Sequence, residues 1–248
     1  MAFADHFSGH AAEYARARPG YPPELFEALA ALAPGRSLAW DAGTGNGQAA
    51  VGLARHFAGV VATDASAAQV ASAAVHPKVE YRVAEAAEID LPPGAVDLVT
   101  VAQAAHWFDL PAFYAATTRV LRPGGALAIW CYDLPRVTPE VDRVVDWFYR
   151  EVVGPWWPAE RRMVESGYQG LPFPFPEQPF PVMAMHCEWT AGALVDYIGT
   201  WSAVARCREA RGTDPLPALA DALAPHWPAA NPPRPVRWPL RGRLGHRP

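Results

Sequence analysis

Short apolar runs alternate along this chain with stretches whose apolar positions recur at helical spacing. Residues 23–33 (PELFEALAALA) place their apolar side chains on one face and open with proline, which predicts an amphipathic helix. Residues 37–40 read as a buried strand, 49–57 as a helix, and 59–63 (GVVAT) as a second strand that Asp64 ends. Ser66 has the chemistry of an N-cap, so a helix is predicted over 66–74. Residues 79–84 and 96–103 (VDLVTVAQ) predict the third and fourth strands. A helix over 111–121 is expected to stop at the turn residues Arg122-Pro-Gly-Gly125, before a fifth strand over 126–132. Thr138 and Pro139 then open a long helix predicted to reach Val153.

Such alternation predicts an α/β fold: a mostly parallel sheet, covered by helices on both faces and joined by right-handed crossovers into a doubly wound order. The pattern changes after residue 153. Residues 154–181 (GPWWP, LPFPFPEQPFP) are too rich in proline for a long regular element. A strand over 182–189, a helix over 190–208, another helix capped at Asp214-Pro215 and a final strand over 236–244 complete the prediction. Pro239 lacks a ladder donor, so a bulge or an unpaired position is expected there.

Composition narrows the function classes. With 51% hydrophobic and 19% charged residues over 248 positions, the chain can build a sizeable core, and a single domain over 1–248 is expected. A net charge of −4 implies no broad cationic face for nucleic acid. Cys131, Cys187 and Cys207 are widely spaced and form no metal-ligand pattern, so no metal site is predicted and a reducing compartment fits best. No run of about 18 apolar residues and no leader pattern is visible, so the expectation is a soluble cytoplasmic protein without a membrane partner.

The chemistry concentrates at Asp41-Ala-Gly43-Thr44-Gly45-Asn-Gly47-Gln48. A glycine-rich turn after a strand lets a nucleotide-like ligand approach the backbone. The dinucleotide pattern G-x-G-x-x-G is not met, because Gln48 stands where its third glycine belongs. Asp41 would repel a pyrophosphate and suits a ligand with an ammonium group, such as S-adenosylmethionine. Asp64, at the end of the second strand, has the position to accept both ribose hydroxyls, for this cofactor or for NAD alike. Glu85, after the third strand, could accept from an adenine amino group, with a backbone N–H beside it.

These segments together resemble the class I S-adenosylmethionine-dependent methyltransferases: D-A-G-T-G-N-G at 41–47, V-V-A-T-D at 60–64, V-A-E-A at 83–86, V-D-L-V-T-V-A-Q-A at 96–104 and R-V-L-R-P-G-G at 119–125. The resemblance implies a Rossmann-like seven-stranded sheet whose last strand is antiparallel and lies beside the fifth. Phe7, Tyr14, Arg18, Pro19, Tyr21 and Pro22, together with A-H-W-F-D at 105–109, T-W-S-A at 200–203 and R-W-P-L at 237–240, are similar to the type-11, trans-aconitate methyltransferase-like group. Carried over by position, Asp41, Gly43, Thr44, Gly45 and Gly47 hold the methionine portion. Asp64 and Ala65 hold the ribose, Glu85 and Ala86 face adenine, and Gln103 lies near the sulfonium. Glu85 stands where the family often has Asp. Residues 1–34 would cover the cofactor, with Tyr14, Arg18 and Tyr21 in that cover and Arg18 facing the methionine carboxylate. Residues 35–135 form the cofactor-binding core, 154–181 a lid or pocket wall, and 182–248 complete the sheet.

His106 and Trp107 follow the fourth strand, at the mouth where open α/β sheets bind ligands, and so are expected to line the pocket. His106 has the chemistry of a base or orienting donor, with positioning favoured over proton transfer. Trp156, Trp157, Tyr168, Phe173 and Phe175 are candidates for the acceptor wall and equally for plain packing. Arg161-Arg162 has the charge to attract an anionic acceptor, although an exposed basic pair is more often simply solvated. Gln103-Ala-Ala-His106 stands where enzymes that methylate DNA amino groups carry [DN]-P-P-[FYW], which argues against a nucleic-acid substrate. The expected function is methyl transfer to a small molecule, on resemblance a carboxylate. A non-catalytic S-adenosylmethionine-binding protein and an NAD(P)-dependent oxidoreductase are the alternatives.

Overall fold

The structure, a computed structural model, describes residues 19–248. Strands β1 (Leu38–Ala42), β2 (Gly59–Asp64), β3 (Val79–Val83), β4 (Val96–Ala102) and β5 (Leu121–Tyr132) form the parallel part of the sheet, in the order β3-β2-β1-β4-β5. The last strand, β8 (Arg234–His246), runs antiparallel beside β5, from Ala126↔His246 to Tyr132↔Leu240. Two further antiparallel strands lie along β8: the two-residue β6 (Glu177–Gln178) and β7 (Ala184–Trp189). The sheet therefore has eight strands, one short strand more than expected, with the last antiparallel as expected.

Side-chain alternation divides the core between the two faces of the sheet. On β5, Ala126, Ala128, Trp130 and Tyr132 join one cluster, and Leu127, Ile129 and Cys131 join the other. The first face is covered by α1 (Pro23–Ala31), α2 (Gln48–Leu53) and the later helices α7 (Ala191–Gly199), α8 (Ser202–Arg211) and α9 (Leu216–Leu223). The second face is covered by α4 (Leu110–Val120) and by residues 164–175, including the fully buried Tyr168. The short α3 (Ala67–Ala71) is capped as predicted, with the Ser66 hydroxyl accepting from Gln69 N. No helix among the described residues is long and apolar enough to cross a membrane.

The predicted boundaries need correction in four places. Residues 122–125 do not form a turn between helix and strand. They bulge within β5, whose pairing with β4 skips from Val96↔Leu121 to Leu98↔Ala126. The helix from Thr138 is α-helical only as α5 (Pro139–Trp147) and continues as a π-helical turn over Phe148–Val152. The stretch 190–208 is two helices, because Trp201 takes extended backbone (φ −68°, ψ 135°) and turns its ring into the core. Pro239 makes no bulge. It stays paired with Ala184, at the point where β8 passes from β7 to β5.

A candidate cofactor site at the carboxyl edge of the sheet

The carboxyl ends of β1, β2, β3 and β4 open into a cavity of about 490 Å³, where a doubly wound sheet places its ligand. Gly43, Thr44 and Gly45 form one wall, Asp64 and Ala65 the next, and Glu85 and Ala86 the third. Gln103, Trp107, Tyr132 and Tyr21 close the other end. Tyr14 and Arg18 lie outside the described residues.

The loop after β1 is shaped by hydrogen bonds to buried carboxylates. Asp41, fully buried, accepts from the Thr44 hydroxyl at 2.6 Å and the Thr100 hydroxyl at 2.7 Å. Thr44 N donates to Thr63 O at 2.9 Å, which ties the loop to the end of β2. Burial raises the Asp41 carboxyl to about 6, against the opposing effect of its two hydroxyl donors. Asp41 does not reach the cavity surface. It acts on the site through Thr44, which corrects the expectation of a direct contact with a ligand ammonium.

The three glycines serve different needs. All have positive φ, which side chains rarely adopt. At Gly43 a Cβ would lie 2.5 Å from the Ala104 Cβ, so this glycine lets the β1 loop pack against the β4 loop. At Gly47 a Cβ would lie 2.1 Å from the Tyr81 hydroxyl. Gly47 therefore packs beneath the loop and does not line the cavity, a correction to its expected ligand contact. Gly45 has open space, with Gln69 Oε1 nearest at 3.8 Å, and it lines the cavity.

Asp64 accepts from Gly45 N at 2.8 Å and Ser66 N at 2.9 Å, so it holds the glycine loop and the α3 entrance while lining the cavity. Glu85 is exposed at the rim. Gln103 takes left-handed backbone (φ 60°) just past β4 and donates its N–H to Trp130 O at 2.9 Å. A non-glycine residue in this conformation costs about 1–2 kcal/mol, and here it turns the chain from β4 along the cavity wall.

The expected acceptor wall divides. Trp107 lines the cavity, whereas His106, Trp156, Trp157 and Tyr168 do not. His106 turns inward, its Nδ1 2.9 Å from the Tyr168 hydroxyl. Burial and then the Arg161 guanidinium push its imidazole down to about 3, so the ring is neutral at physiological pH. Tyr168 is held away from water by the second core layer, and Trp157 packs against Tyr149 and Trp201. No residue of 154–181 lines the cavity. Sequence reasoning missed Asn46, Gln48, Gln69 and Asp109 on the cavity surface. Asn46 and Gln48 are interleaved with the glycines and were legible; Gln69 and Asp109 arrive from helix starts whose position only the fold determines.

Asp64, Glu85 and Asp109 line the cavity, and among the described residues no lysine, arginine or histidine does. The carboxylates of Asp64, Glu85 and Asp109 on this surface suit a positively charged nucleoside and repel a pyrophosphate.

Comparison with known proteins agrees with this geometry. The family model described as a methyltransferase domain, Methyltransf_11, matches residues 40–129. A Dictyostelium discoideum protein that carries the name methyltransferase is 36% identical over 225 residues, covering 89% of this chain and 86% of its own. A solved structure from Anaeromyxobacter dehalogenans, described as a type II methyltransferase, superposes with a TM-score of 0.88 at 47% identity, covering 92% of this chain and 97% of that one. A Bacillus halodurans structure at 19% identity and TM-score 0.52 shares the fold.

Proposed function

This chain belongs to the class I S-adenosylmethionine-dependent methyltransferases, and from that premise we propose that it methylates a small molecule presented at the Gln103–Tyr132 end of the cavity, on a carboxylate oxygen. The carrying observation is that the Gly43–Gly45 loop, Asp64 and Glu85 line one cavity at the carboxyl ends of the first four strands. Gly43, Thr44 and Gly45 would hold the methionine portion, Asp64 and Ala65 the ribose, and Glu85 and Ala86 the adenine. Bound S-adenosylmethionine supplies a methyl group activated by its sulfonium charge.

The protein's own part is positioning and the exclusion of water. Trp107, Phe108, Tyr132 and Tyr21 give the far end an aromatic lining. None of these four side chains is itself a base of ordinary pKa near 7. An acceptor already ionised at pH 7 needs none, and this supports a carboxylate over an alcohol or amine.

A thermal-shift panel tests the cofactor reading. S-adenosylmethionine and S-adenosylhomocysteine should raise the melting temperature and NAD and NADP should not; a ligand at a hundredfold its Kd contributes about 2.7 kcal/mol. Asp64→Asn keeps the side-chain shape and should weaken the response. Stabilisation by NADP alone would overturn the reading. For the acceptor, labelled methyl groups transferred to a panel of organic acids should be released as methanol by mild alkali; label that resists alkali would exclude an ester.

A further inference from the structure

A second cleft, of about 510 Å³, lies on the other side of Tyr132, which lines both spaces. It is walled by the chain after β5, by the π-helical turn at 148–152 and by the helix α6 (Arg161–Glu165). Four arginines and three carboxylates face it, one positive charge in excess. Their pairing is unequal. Arg136 is bound to Asp146 at 3.0 Å and Arg241 to Asp133 at 2.9 Å. The Tyr149 hydroxyl donates to Glu165 at 2.6 Å, so that acid already has a donor.

Of the two remaining arginines, Arg150 is exposed and likewise has no carboxylate partner among the described residues, whereas Arg161 is held in place. It is half-buried, its guanidinium carbon lies 4.8 Å from the centre of the Trp157 ring and 5.5 Å from that of the Tyr149 ring, and its Nε donates to the Tyr149 hydroxyl at 2.9 Å. Among the described residues no carboxylate pairs with it and its terminal amino groups have no acceptor. A guanidinium oriented by two rings and left with a free fork is built to receive an oxyanion in two parallel hydrogen bonds. It also adjoins the first cavity by a second route: His106 stacks on Tyr168, contacts Trp107 at 4.7 Å, and is held neutral in part by the Arg161 charge. Its neighbour Arg162 is exposed and plays no such part.

We propose that this cleft binds an anionic group of the acceptor, a carboxylate or phosphate, on Arg161, and that this group is not the one methylated. The acceptor role rests on the methyl-transfer reading above. The second clause follows from chemistry: an oxyanion clamped by a guanidinium has its lone pairs engaged and is a poor nucleophile. The acceptor therefore carries at least two functional groups, an anchor beyond Tyr132 and a nucleophile on the cavity side of it.

Titration calorimetry on protein saturated with S-adenosylhomocysteine tests this, with malonate and inorganic phosphate as probes. Wild type should bind at least one, and the tighter of the two identifies the anchor as carboxylate or phosphate. Arg161→Gln, which keeps a planar group over the rings, should weaken that binding by about tenfold or more; Arg161→Lys should lose less. Arg143→Ala, at an exposed arginine outside the cleft, should bind as wild type does. Affinity for S-adenosylhomocysteine should stay within twofold throughout, which a merely structural role for Arg161 would not predict. Absence of binding by both probes, or equal binding by Arg161→Gln, overturns the proposal. Failure of S-adenosylhomocysteine itself to bind strikes the cofactor reading instead, so the two failures are distinguishable.

Discussion

Asp41 braces the ligand loop from below and is itself out of reach of solvent. Its carboxyl sits at about 6 in the folded protein, against an ordinary value of 3.8, because burial disfavours its charge. Between those values the folded chain holds a proton that the unfolded chain has lost. The residue therefore adds stability that is full below pH 4 and is lost as pH rises through 6. A shift of about two units corresponds to about 3 kcal/mol. Asp41→Asn is neutral throughout and retains an acceptor for one of the two threonine hydroxyls. In urea unfolding from pH 4 to pH 7, wild type should lose about 3 kcal/mol relative to Asp41→Asn. A difference that stays constant across that range would mean the carboxyl does not ionise there. The unfavourable charge has a counterpart in function, since it lies under a cavity whose surface chemistry suits a cationic ligand.

The individual elements show a different economy, in which aromatic packing sets where helices stop. Trp201 ends one helical run and starts the next, with its ring 5.7 Å from Tyr149, 5.6 Å from Trp157 and 6.3 Å from Tyr197. Trp157 in turn stacks on the Arg161 guanidinium, so the helix break and the second cleft share one cluster. Trp201→Ala should cost about 3–5 kcal/mol in chemical denaturation. Trp147→Ala, at a tryptophan that is 40% exposed, should change stability by less than about 1 kcal/mol. Equal effects would show that the cluster contributes no more than the surface ring. This break was missed in the sequence although Gly199 marks the end of the first helix, because the apolar spacing continues through Thr200 and Trp201. The first five strands were legible to within a few residues, since each is a buried run bounded by turn chemistry, apart from the extension of β5 back to Leu121. Most of the cavity wall was legible for the same reason: Gly43, Asp64, Glu85 and Gln103 follow or end strands, where a parallel sheet collects its ligand contacts. The second cleft was not, because it needs α6 brought against the π-helical turn at 148–152, and nothing local announces either. Arg161 and Arg162 read alike as a basic pair; only packing separates them.

For the molecule as a whole, the topology separates where the site is encoded from where its support is encoded. Every described residue on the cavity surface lies between Pro19 and Tyr132. Yet β5, which carries Tyr132 and the Trp130 carbonyl that holds Gln103, is completed by β8, more than a hundred positions later. Val236, Trp238, Leu240 and Leu244 of that last strand are buried in the first core layer, and β6 and β7 have β8 as their partner. Removing residues 234–248 would strip β5 of a seven-residue ladder and expose the underside of Trp130 and Tyr132 to water. Pairings this distant in sequence form only after much chain entropy has been lost, so the sheet gains its full stability only when the last strand docks. The truncated chain 1–233 should therefore show no cooperative thermal transition and no stabilisation by S-adenosylhomocysteine, although it keeps the whole cavity surface. A sharp transition that moves with added S-adenosylhomocysteine would instead show that residues 1–233 fold and bind without the last strand. The expected loss reflects a sheet in which ligand-binding residues come from the early strands and the edge that keeps them in register comes from the end of the chain.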